Sequence, residues 1–100
     1  MAVYVVATYD IADPKAYEPY VPQVMPLLAK YGAEILVADF GARALEGTAR
    51  AVTVVVRFES EEAARAFYDA PEYAPVKQIR IDSTANANMV LAHEFVGEPA

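Results

Sequence analysis

The chain has 100 residues, 14 Asp and Glu against 8 Lys and Arg, and a formal charge of -6. Its 56% hydrophobic and 22% charged residues make a globular composition and one expected domain, 1–100. The acidic balance repels a phosphate backbone, so nucleic acid is not an expected partner; the lack of cysteine removes disulfides, thiolate nucleophiles and iron–sulfur clusters, and the single histidine, His93, excludes an all-histidine metal cage within one chain.

Residues Val3 to Asp10 (VYVVATYD) are dense in β-branched and aromatic residues and predict a first strand. The apolar stretch Ala2 to Tyr9 has no basic lead and falls far short of the roughly 20 residues that span a bilayer, so a cytoplasmic protein without a membrane partner is expected. Asp13-Pro14 opens a helix, with Asp as N-cap and Pro at the first helical position. Its stripe is Tyr17, Tyr20, Val21, Val24, Leu27, Leu28 and Tyr31, and Gly32 stops it. Pro19, Pro22 and Pro26 fall on the opposite face and predict a kinked or broken helix.

Ala33 to Phe40 and Ala51 to Phe58 (AVTVVVRF) predict the second and third strands, joined by a connection too long for a two-residue turn. Ser60 caps a second helix with Glu61 and Glu62 in its first turn and Ala64, Phe67 and Tyr68 on its buried stripe. Pro71 ends it, Glu72 to Arg80 holds a further helical turn or two, Asp82 to Ala87 reads as a loop, and Asn88 to Phe95 is the last strand. This βαββαβ order predicts an α+β, ferredoxin-like sandwich: a four-stranded antiparallel sheet of order 4-1-3-2 with helices on one face. In the third strand Val52, Val54, Val56 and Phe58 meet the helices. The other side, with Thr53, Val55 and Arg57, is too apolar for open water, and a sheet-to-sheet homodimer would cover it.

Several short patterns bear on identity. Asp13-Pro14 with Tyr17 and Tyr20 is followed by Gly32 and Glu46-Gly47. Phe58, Ser60, Ala64, Phe67-Tyr68, Pro71-Glu72-Tyr73, Lys77 and Arg80 complete the series. Together they resemble the small bacterial family called domain of unknown function thirteen-thirty, in the dimeric α+β-barrel superfamily. Two features depart from that pattern: Arg57, where members often carry an acidic residue, and the extra prolines of the first helix. The resemblance implies a dimeric barrel and no particular reaction.

The candidate ligand-pocket residues are Tyr4, Thr8, Arg57, His93 and Tyr73. The expected strand order gathers Tyr4, Arg57 and either His93 or Glu94 at one end of the sheet, and the face carrying Tyr4, Thr8 and Asp10 is taken as the barrel interior. Arg57 there would hold a carboxylate or enolate; a salt bridge to Glu94 or to the second subunit is the structural alternative. His93 is the one side chain that titrates near neutrality, a default general base, and the superfamily's haem-degrading members suggest an iron ligand. Its alternation with Met89, Leu91 and Phe95 favours a packed, hydrogen-bonded histidine instead. Tyr17, Tyr20, Tyr31 and Tyr68 are explained by packing, whereas Tyr73 is freer to reach a pocket mouth or the dimer seam. Asp10 and Asp13 make no metal site, Glu61 and Glu62 form a solvated first turn, and Gly41 and Gly47 belong to a hairpin rather than a phosphate loop. No cofactor is expected. The reading that follows is a small-molecule pocket in a dimeric barrel, supporting cofactor-free monooxygenase or isomerase-type chemistry on an activated carbon acid. A ligand-binding module without turnover and a purely structural homodimer are its alternatives.

Overall fold

Two β-branched runs form the centre of the sheet. In the computed structural model, which describes residues 1–97, strand β1 (Val3–Ile11) pairs antiparallel with β3 (Val52–Phe58) on one side and β4 (Thr84–His93) on the other. Strand β2 (Glu34–Asp39) closes the far edge beside β3, giving the order β2-β3-β1-β4. Helices α1 (Pro14–Tyr17), α2 (Tyr20–Lys30), α3 (Glu61–Tyr68) and α4 (Ala74–Ser83) complete an α+β, ferredoxin-like fold. Among the described residues no helix is long and apolar enough to cross a membrane.

The helix starts follow their caps. Asp13 accepts from the Ala16 N–H at 3.1 Å and Ser60 from the Ala63 N–H at 3.0 Å, each satisfying an orphan donor of the first turn. The prolines break the first helix outright. Pro19 has no N–H to continue α1, so the chain makes one turn, steps through Glu18 and Pro19 and restarts as α2. Pro22 and Pro26 are exposed while Tyr20, Val24 and Leu28 are buried. Gly32 closes this segment at φ +73°, a left-handed conformation that a side chain resists.

Two expectations need correction. The stretch Asp82 to Ala87 is not a loop: α4 runs to Ser83 and β4 begins at Thr84, four residues earlier than expected. The Ser83 hydroxyl donates to the Ile79 carbonyl (2.6 Å) and that of Thr84 to the Arg80 carbonyl (2.7 Å), ending the helix without a linker. Asn86, at φ 55°, absorbs an irregularity opposite Thr8–Asp10, and its amide donates to Asp10 Oδ2 at 2.9 Å. Tyr68 is not on the buried stripe of α3; it is 40% exposed, with Lys77 Nζ 3.9 Å from its ring centroid.

Alternation divides the sheet. Val3, Ala7, Tyr9, Val52, Val56 and Phe58 are buried beneath the helices. The strand registers set the opposite face in three rungs: Glu34–Arg57–Tyr4–Ala92, Val37–Val55–Val6–Val90 and Asp39–Thr53–Thr8–Asn88. A register shift at Leu36 brings Glu34 and Val37 onto that same face. The middle rung is entirely valine.

Candidate functional site

Between the sheet and the helices lies a cavity of about 130 Å³, roughly ten times what one water molecule needs. Val5, Val54, Val56 and Phe58 form its floor, and Val24, Leu28 and Phe67 are among the helical residues above it. Val21, Met25, Phe40 and Tyr68 line it and are also solvent-exposed, so they form an apolar mouth. The polar groups of the wall are five tyrosines, Tyr9, Tyr17, Tyr20, Tyr68 and Tyr73, and one charged side chain, Arg80.

The sequence of α4 turns Arg80 inward. Tyr73 caps the helix, and Tyr73, Val76, Arg80 and Ser83 recur at spacings of three and four, all buried. Arg80 is 5% exposed, and its Nε is buried without a hydrogen-bond partner. Among the described residues no carboxylate forms an ion pair with it, although the chain has 14 acids. Buried arginines are ordinarily paired, because stripping water from an uncompensated charge costs several kcal/mol.

The tyrosines arrive from four directions. Tyr9 on β1 shares a 2.6 Å hydrogen bond with the Tyr17 hydroxyl on α1. Tyr20 at the start of α2 shares one of 2.8 Å with the Tyr73 hydroxyl. The ring of Tyr73 lies 4.3 Å from that of Phe67, and those of Tyr17 and Tyr20 are 5.5 Å apart. Burial pushes the Tyr9 and Tyr20 hydroxyls well above the ordinary tyrosine range and raises that of Tyr17, so all three stay neutral. Burial also opposes the Arg80 charge, but the Tyr73 and Tyr20 hydroxyls beside it outweigh that, and its pKa lies above the ordinary arginine value. The cavity therefore presents a permanent cation framed by neutral hydroxyls in apolar surroundings, an arrangement suited to holding an oxyanion.

The residues singled out in the sequence are divided by the sheet. Tyr4, Thr8 and Arg57 lie on the rung face, with Tyr4 between Arg57 and Ala92, and none of them lines the cavity. His93 belongs to the helix-side face, opposite Val3, but at the end of an edge strand; its side chain is 60% exposed, with Nε2 3.4 Å from Glu61 Oε1. It is neither in the cavity nor packed in the core. Tyr73 does line the cavity, 1% exposed, rather than a mouth or seam. Arg80, Tyr9, Tyr17 and Tyr20 were not singled out as site residues. The available signal was the arginine on an otherwise apolar helical stripe, with several tyrosine hydroxyls on core faces that each need a partner.

The arrangement of strands and helices recurs in solved structures at low identity, which shows the fold alone. The RPA0582 protein of unknown function from Rhodopseudomonas palustris superposes with a TM-score of 0.81 at 11% identity, over 96% of this chain and 84% of that one. SnoaB, a cofactor-independent oxygenase from Streptomyces nogalater, gives 0.70 at 12% identity, over 99% and 98%. A dimeric ferredoxin-like protein of unknown function from Thermobifida fusca gives 0.57 at 22% identity, over 91% and 89%. No curated protein is significantly similar to the chain. The family model for Domain of unknown function (DUF1330) matches residues 2–95, nearly the whole length, and the chain belongs to that family.

Proposed function

We propose that the protein is a homodimer in which each protomer binds a small organic molecule in the cavity between its sheet and its helices, with Arg80 as the polar anchor. One observation carries this reading: a guanidinium 5% exposed, with an unpartnered Nε, in the wall of an otherwise apolar and aromatic cavity. A few convergent polar groups in an apolar concavity are the usual make-up of a ligand site. The dimer is supported by the valine rung, of which Val37 and Val90 are 41% and 53% exposed, and by the dimeric description of the structurally similar Thermobifida fusca protein. Tyr4, Thr8 and Arg57 then belong to the seam between protomers rather than to the pocket. Cofactor-independent oxygenation is the chemistry that SnoaB brings to mind for such a cavity, as an analogy of fold.

Thermal unfolding in the presence of a panel of small aromatic and conjugated compounds, charged and neutral, tests the reading. A ligand at a hundred times its Kd adds about 2.7 kcal/mol of stability, and oxygen uptake on any hit separates turnover from binding. A panel in which no compound raises the transition overturns the proposal.

A further inference from the structure

We infer that the cavity accepts its ligand as an organic monoanion already ionised in solution, with a flat apolar body and its negative oxygen on Arg80, and that the protein does not create this charge by removing a proton. The inference rests on the binding reading above and narrows it to a charge state.

The wall supplies one positive charge and no negative one, so a single anionic group balances it. The groups that face Arg80 from the elements packed around it are Tyr9 of β1, Tyr17 of α1, Tyr20 of α2 and Tyr73 at the cap of α4. A neutral phenol is not a base, and burial holds the Tyr9, Tyr17 and Tyr20 hydroxyls protonated. Several carboxylates are engaged elsewhere. Asp10 accepts from Arg50, Asn86 and the Ala51 N–H, Asp13 caps α1, and Glu72 takes Lys30 and Tyr31. Glu61 is tied to Arg65, and His93 is exposed beside it. A base must lie within hydrogen-bond reach of the proton it takes; none of these carboxylates, nor His93, lines the cavity. What the cavity can do is select a charge that the ligand brings. The unpartnered Nε offers the donor that makes a two-point contact with a carboxylate or similar anion, and the rings of Phe58, Phe67 and Tyr73 favour a planar body. The consequence for chemistry is specific: reactions that begin by pulling a proton from a neutral carbon acid lack their base here, while reactions of a ligand that ionises by itself do not need one.

Isothermal titration of the full chain with benzoate and its uncharged isostere benzamide, and with 4-nitrophenol at pH values spanning its own ionisation, tests this. Benzoate should bind at least about tenfold more tightly than benzamide, since a charge-assisted hydrogen bond is lost in the neutral compound. Nitrophenol affinity should rise with pH in step with the phenol's ionisation. Arg80→Gln should abolish the preference for benzoate and Arg80→Lys should keep part of it. Equal binding of benzamide and benzoate, or nitrophenol affinity indifferent to pH, overturns the inference and leaves the binding reading standing. These two arms use the unaltered protein, so they decide the matter even if a variant fails to fold. If none of these probes binds and the wider panel is also silent, both readings fall.

Discussion

Arg80→Met separates a residue kept for ligand recognition from one kept for stability. Methionine replaces the aliphatic stem of the arginine and stops short of the guanidinium, so most of the packing is kept while the charge disappears. Two effects oppose each other in the ligand-free protein. A hydrogen bond to a charged group contributes about 1.5–3 kcal/mol, and the Tyr20 and Tyr73 hydroxyls face the guanidinium. Those hydroxyls remain hydrogen-bonded to each other at 2.8 Å, so neither is orphaned by the substitution. Against that loss, removing a buried ionic group in favour of an apolar one of similar volume is often neutral or stabilising, by about 1–4 kcal/mol. Because no carboxylate among the described residues pairs with Arg80, the variant leaves no opposite charge stranded. The expected outcome is a ligand-free protein between unchanged and about 2 kcal/mol more stable, for which the melting temperature moves upward by about 4–8 °C per kcal/mol. Urea unfolding followed by circular dichroism reads this directly, with the binding titration on the same sample. A loss exceeding about 2 kcal/mol would mean that Arg80 is a strut of the core, and the functional reading of its burial would fail.

Tyr9→Phe orphans the Tyr17 hydroxyl and should cost about 1–3 kcal/mol, whereas the double variant Y9F/Y17F should recover much of that loss, measurable as a coupling in urea unfolding. Asp10 is held below its ordinary pKa of 3.8 by the Asn86 amide, the Ala51 N–H and Arg50. Its stabilisation is therefore complete above that value and disappears as the pH falls through the lower, folded-state value. The stability gap between the protein and Asp10→Ala should be constant near neutrality and shrink in acid; a gap that widens in acid would contradict the assignment. Val55→Asp places a charge in the middle of the valine rung and should give monomers by light scattering with the helix-side cavity intact, while an unchanged assembly state would place the interface elsewhere.

The strands at the sheet centre were legible because Val3 to Asp10 and Ala51 to Phe58 are apolar on both sides, a pattern few other structures produce. Asp13 and Ser60 were equally plain, since a cap is a local hydrogen bond written within four residues. The start of β4 was not, because Asp82 to Ala87 is polar and turn-like in composition; only tertiary pairing with β1, Ala85 opposite Asp10 and Thr84 opposite Ile11, turns it into strand. Tyr4, Thr8 and Arg57 drew notice on the side of the sheet away from the cavity for a physical reason. Polar residues on a strand face advertise themselves by alternation, so Tyr4, Thr8 and Arg57 stood out. A polar residue on an apolar helical stripe is masked by the hydrophobic neighbours that define the stripe. Arg80 could be placed only once α4 was known to pack that stripe over Tyr9 and Tyr20.

Strand β1 serves as a party wall. Val5, Ala7 and Tyr9 look into the cavity, while Tyr4, Val6 and Thr8 look toward the rungs. Point changes along it affect one compartment at a time, but inserting or deleting a single residue would exchange the two sets, sending valine and threonine inward and the tyrosine that meets Tyr17 outward. This segment can therefore vary in letter but not in length.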